Sequence, residues 1–122
     1  MFNDATTMAS GFTTGASPVT STNVVDMGAA DGDEGDGPEV VVLIEGGDST
    51  GDTGTIQVVL QESATSGGSY VTILTGRVSA ANYTDFSPYR MKVPPKHKQF
   101  LRLQYVIATN SATAGTLHAG IV

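Results

Sequence analysis

The chain has 122 residues, twelve acidic against six basic for a formal charge of −6, and no cysteine. A domain of this length takes roughly two-thirds of its unfolded surface out of water, so it can hold a core without staples. The missing cysteines exclude disulfides, a thiolate nucleophile and any Cys-based zinc site, and fit a cytosolic folding environment.

The acidic balance opposes attraction to phosphates, so no nucleic acid partner is expected. Met1–Gly11 lacks the basic flank and apolar block of a signal peptide. Nowhere do about eighteen apolar residues run together, so no membrane span is expected. Thr, Val, Ser and Gly are abundant while Leu, Lys, Glu and Arg are scarce, which favours strands over surface helices and predicts an all-β fold.

From Met1 to Pro18 the chain is Ala, Thr, Ser and Gly, with Met1, Phe2, Met8 and Phe12 too irregularly spaced for a helical stripe. Such a segment does not fold alone. It reads as a mobile terminus or, on the sharper reading, as an extended N-terminal arm (1–18) preceding a β-sandwich domain (19–122), with Phe2 and Phe12 docked on a neighbouring subunit.

Val19–Met27 is the first expected strand, ended by Gly28, and Asp31–Pro38 is an acidic glycine loop. The apolar run Val40 to Ile44 predicts a strand buried on both faces at the centre of a sheet. A second acidic glycine loop is expected over Gly46–Gly54. Thr55–Glu62 then alternates Ile56, Val58 and Leu60 with Gln57, Val59 and Gln61.

A turn over Ala64–Ser69 leads to strands at Tyr70–Leu74, Arg77–Ala80 and Tyr89–Val93, the last two separated by the aromatic loop Asn82–Pro88. Pro94 and Pro95 remove two backbone donors and fix an extended corner. At the end, Phe100–Ala108 and Thr116–Val122 alternate apolar and polar residues across the small polar loop Thr109–Gly115, which predicts a hairpin with one face on the core. About seven or eight short antiparallel strands without helical periodicity point to a jelly-roll-like β-sandwich.

Chemistry is thinly supported. Asp31, Asp33, Glu34 and Asp36 crowd carboxylates on a flexible loop, as a calcium site can. Gly35 and Asp36, however, stand where the EF-hand pattern needs a ligand and a glycine, so a solvated loop is expected. Asp48 and Asp52 add to such a site only if the two acidic loops share one end of the sandwich. His97 and His118 are not coupled to a carboxylate and are expected at the surface.

No Gly-x-Ser-x-Gly elbow or Walker lysine pattern occurs, so neither an enzyme nor a bound cofactor is expected. Arg90, Lys92, Lys96 and Lys98 concentrate the positive charge beside Tyr83, Phe86 and Tyr89. That contrast makes a candidate interface, because arginine and aromatic residues are enriched in interfaces. The competing reading has these aromatics capping the core.

Four segments, Ser21-Thr22-Asn23-Val24-Val25-Asp26-Met27-Gly28, Ile56-Gln57-Val58-Val59-Leu60-Gln61-Glu62-Ser63, Phe100-Leu101-Arg102-Leu103-Gln104-Tyr105 and Ala114-Gly115-Thr116-Leu117-His118-Ala119-Gly120-Ile121-Val122, together resemble the small capsid cement, or decoration, proteins of tailed bacteriophages. The likeness runs from about Val19 to the C-terminus.

The resemblance implies a jelly-roll sandwich made in the host bacterial cytoplasm. It would bind the outer surface of the virion capsid as a homotrimer, with the major capsid protein as partner and no reaction catalysed. The alternative is a non-enzymatic β-sandwich module for glycan or calcium. Tyr83, Asp85, Phe86 and Tyr89 would be its only aromatic platform.

Overall fold

A computed structural model describes residues 2–7, 18–28, 38–49, 55–79, 88–94, 97–109 and 112–121. These residues form nine strands: β1 (Asn3–Thr7), β2 (Val19–Thr20), β3 (Val25–Asp26), β4 (Glu39–Ser49), β5 (Thr55–Ser63), β6 (Val71–Ser79), β7 (Tyr89–Lys92), β8 (Phe100–Thr109) and β9 (Ala112–Ile121). No helix occurs among them.

Sheet A has the order β1-β9-β4-β7; sheet B has the order β2-β8-β5-β6, with β3 also on β8. Every pairing is antiparallel. The first and last strands pair, then β2 and β3 with β8, then β4 with β7, and the hairpin β5–β6 closes the series. A long hairpin wound into two sheets in this way is a jelly roll.

β2 and β3 are one strand position interrupted by an insertion. From Thr20 opposite Gln104 to Val25 opposite Leu101 there are five steps on this side against three on β8, so two residues are extra. Ser21 bridges the irregularity. Its N–H donates to the Leu103 carbonyl (2.8 Å), its hydroxyl donates to the Asn23 carbonyl (3.0 Å), and the same hydroxyl accepts the Leu103 N–H (3.1 Å).

Ser21→Ala therefore leaves the buried Leu103 N–H without its acceptor and is expected to cost about 1–3 kcal/mol in chemical denaturation. An unchanged denaturation midpoint would show that this bond is dispensable. Just beyond, the Asp26 carboxylate accepts from Gln99 Nε2 (2.9 Å) and from the N–H of Gly28, which sits at φ +85°. Those two bonds hold the Asp26 carboxyl below its usual range.

The core lies between the sheets. Val40, Val42 and Ile44 of β4 and Leu117 and Ala119 of β9 face Ile56, Val58 and Leu60 of β5 and Leu101, Leu103 and Tyr105 of β8, all of them buried. Burial pushes the Tyr105 hydroxyl well above its ordinary pKa, keeping it protonated.

Several expectations need correction. β8 and β9 are not a hairpin: β8 lies in sheet B and β9 in sheet A, on opposite layers of the sandwich. Alternation marks which face of each strand looks inward, and two strands on opposite sides of one core alternate just as two neighbours in one sheet do.

β4 continues through Gly46, Gly47 and Asp48 where a loop was expected. Its register with β9 shifts between Glu45 and Asp48 and again between Asp48 and Ser49, the kind of irregularity glycine accommodates. β4 is central, as its apolar run predicts, but Val41 and Leu43 on its outer face are only half-buried. The two strands expected at Tyr70–Leu74 and Arg77–Ala80 are the single strand β6.

The N-terminal segment departs most from expectation. β1 pairs with β9, and Phe2, expected on a neighbouring subunit, is fully buried in this subunit's own core. Its N–H donates to the Ala119 carbonyl and its carbonyl accepts from the Asn23 N–H, both at 2.9 Å. β1 (Asn3–Thr7) is therefore the first strand of the jelly roll, and the expected boundary at residue 18 falls after it. Phe12 and the rest of the expected arm lie outside the described residues.

Candidate functional site

The basic, aromatic stretch expected as an interface is divided by the structure. Tyr89 pairs with Val42, which is buried, so both face inward. Its ring crosses to sheet B and fills the space over Gly76, where a Cβ would meet Tyr89 Oη, Cζ and Cε2. Tyr89 therefore packs half-buried against the core, which corrects its assignment to an exposed interface. The reading in which this aromatic caps the core is the one that holds for it.

Arg90 is exposed opposite Val41, and Lys92 is exposed opposite Glu39. Beyond β7, the Val93 N–H donates to the Pro38 carbonyl (2.9 Å), carrying the pairing one residue further before Pro94 removes the next donor. Lys98 is exposed, and its backbone N–H donates to Glu62 Oε2 (2.7 Å). His97, expected at the surface, is only 5% exposed; its Nδ1 lies 2.8 Å from the Lys98 carbonyl oxygen, which can only accept, so Nδ1 carries the proton there.

His118 is half-buried on the face of β9 opposite buried Leu117 and Ala119. Tyr83, Phe86 and Lys96 lie outside the described residues, as do the calcium candidates Asp31, Asp33, Glu34 and Asp36, together with Asp52 and Asp85. The backbone of Asp48 is in β4, opposite Ala114. Among the described residues no three His, Asp or Glu side chains gather as a metal site requires.

Among the described residues a network of polar side chains lies elsewhere, on the outer face of sheet B. Its rows follow from register. Thr20, Gln104, Val59 and Thr75 form one row across the strands, and Arg102, Gln61 and Thr72 form the next. On the other side, Val106, Gln57 and Arg77 form a third.

Arg102 Nε donates to Gln61 Oε1 (2.8 Å), and its guanidinium stacks 4.2 Å from the centre of the Tyr70 ring. Gln61 Nε2 bridges to Thr72 Oγ1 (3.3 Å) and Gln104 Oε1 (3.4 Å), and Gln104 Nε2 donates to Thr20 Oγ1 (3.2 Å). Tyr70 is fixed in turn by its hydroxyl, which donates to the Ser66 carbonyl (2.8 Å).

Val59 sits in the middle of this face. It is only 9% exposed although it belongs to the outer face and not to the sandwich core, so its neighbours' side chains cover it. The sequence places Gln57, Val59 and Gln61, and likewise Arg102 and Gln104, on polar faces of their strands. It gives no sign that β5 and β8 are neighbours, and so none that these residues form one network with Tyr70.

No curated protein matches the chain. Residues 8–121 match the protein family Bbp16, and the chain belongs to that family.

Proposed function

We propose that the protein is a structural, non-enzymatic cement subunit of a tailed-bacteriophage capsid. It binds the outer surface of the assembled shell as a trimer and joins neighbouring major capsid protein subunits. One observation carries this reading: the segments that resemble cement proteins are strand-forming parts of a single jelly roll. β3, β8 and β5, which hold three of them, lie side by side in sheet B, and β9 holds the fourth. Membership of the Bbp16 family supports a bacteriophage protein.

Cement acts by mass action. A protein that binds the assembled lattice and not the separated subunits stabilises the lattice by its binding free energy, repeated over many sites. A jelly roll suits this work because its two sheets protect each other's apolar faces and leave broad outer faces for contact.

The reading predicts that adding the protein to expanded empty shells raises, saturably, the temperature at which light scattering reports their disruption. No shift at saturating protein would sink it. Multi-angle light scattering of the purified protein is expected to give three times the subunit mass; one or two times that mass would overturn the trimer.

A further inference from the structure

Resting on that reading, we infer that the outer face of sheet B is the surface that lies against the shell, and that it meets a protein surface rich in carboxylates. The chain carries twelve acidic residues and a net charge of −6. Even so, the three rows across this face contain no Asp, Glu or Lys, and they contain both Arg77 and Arg102. Loss of Lys, Asp and Glu with retention of Arg and Tyr is the composition of interface centres.

The nearest carboxylates, Asp26 and Glu62, lie beyond these rows at the end of the sheet, hydrogen-bonded to neutral donors. Asp26 accepts from Gln99 and Gly28, and Glu62 accepts the Lys98 N–H. The three rows themselves carry two guanidinium groups and no carboxylate, so the centre of this face is a positive patch on an acidic protein, and its complement is an acidic surface.

It is also preorganised. Arg102 is held on the Tyr70 ring and by Gln61, with only its Nε engaged among the described residues. The planar fork of its remaining N–H donors is fixed in place to take a carboxylate bidentately. A side chain ordered before binding loses less freedom on binding. Arg77 is exposed one row beyond Val59, so the two guanidinium groups flank the covered valine at the centre.

The test uses the full chain and the double variant Thr75→Glu/Arg77→Glu. Both residues are exposed and lie outside the Arg102 network, so the fold is expected to survive, as checked by circular dichroism and melting temperature. Arg90→Glu, exposed on β7 of the other sheet, is the control. In co-sedimentation with expanded shells, the double variant is expected to bind at least about tenfold more weakly, while the control binds as wild type does.

Equal binding by the double variant and wild type would overturn the inference and leave the cement reading standing. So would loss of self-association by the double variant, since the face would then be occupied by a second copy of this chain. Wild-type protein that ignores shells would overturn the cement reading, and this inference with it.

Discussion

Replacing Phe2 with alanine is expected to cost about 3–5 kcal/mol of folding stability, the range for deleting a buried phenylalanine ring. Phe2 is fully buried within the main core cluster. Its backbone also links the two layers, donating to Ala119 in β9 and accepting from Asn23 in the insertion between β2 and β3. Removing the ring therefore opens a cavity at the point where the first strand locks onto both sheets. The loss is a large share of the roughly 5–15 kcal/mol by which domains are stable. Urea denaturation measures it directly. A change under about 1 kcal/mol would mean that the first strand is not part of the cooperative fold.

The second large effect is expected at Gly76, where β6 passes beneath the Tyr89 ring. An added methyl collides with Tyr89 Oη first and with the ring carbons Cζ and Cε2 next. The nearest atoms belong to a ring whose body is wedged between two edge strands. Gly76→Ala is expected to destabilise by about 1–3 kcal/mol, as overpacked sites do.

Tyr89→Phe removes the atom nearest the methyl, so the double variant is expected to recover part of the loss, a positive coupling in a double-mutant cycle. Gly67, where a Cβ meets nothing within 4 Å, supplies the contrast. Gly67→Ala is expected to stay within about 0.5 kcal/mol. Equal effects at the two glycines would refute the clasp between Tyr89 and Gly76.

These positions also mark what the sequence could reveal. The all-β class and the inward positions of β5 and β8 follow from alternation, because Ile56, Val58, Leu60, Leu101, Leu103 and Tyr105 repeat at a period of two and all turn out buried. Pairing does not follow. Phe100–Thr109 and Ala112–Ile121 read as a hairpin yet sit in opposite sheets, since alternation reports a strand's apolar face and not its neighbour.

β1 was illegible for another reason. Asn-Asp-Ala-Thr-Thr has no apolar rhythm, and its place in the edge of sheet A rests on backbone pairing with β9 and on the buried ring of Phe2 just before it. Gly76 falls in the gap between the strands expected at Tyr70–Leu74 and Arg77–Ala80, yet lies inside the single strand β6. Its missing side chain makes room for an aromatic ring contributed by the other sheet.

The candidate surface was half legible. Counting charge draws attention to Arg90, Lys92 and Lys98, which are conspicuous because they lie close together in the chain. The structure turns Tyr89, at the start of that stretch, into the core and buries His97. The residues that share a network, Thr20, Gln61, Tyr70, Thr72, Arg102 and Gln104, are scattered over four segments. Only the order β2-β8-β5-β6 brings them together.

The most direct measurement of the central claim is co-sedimentation of the purified full chain with empty phage shells, before and after expansion, titrated to saturation. The account predicts saturable binding to expanded shells at a fixed ratio of this protein to major capsid protein. Absence of binding to both expanded and unexpanded shells would contradict it.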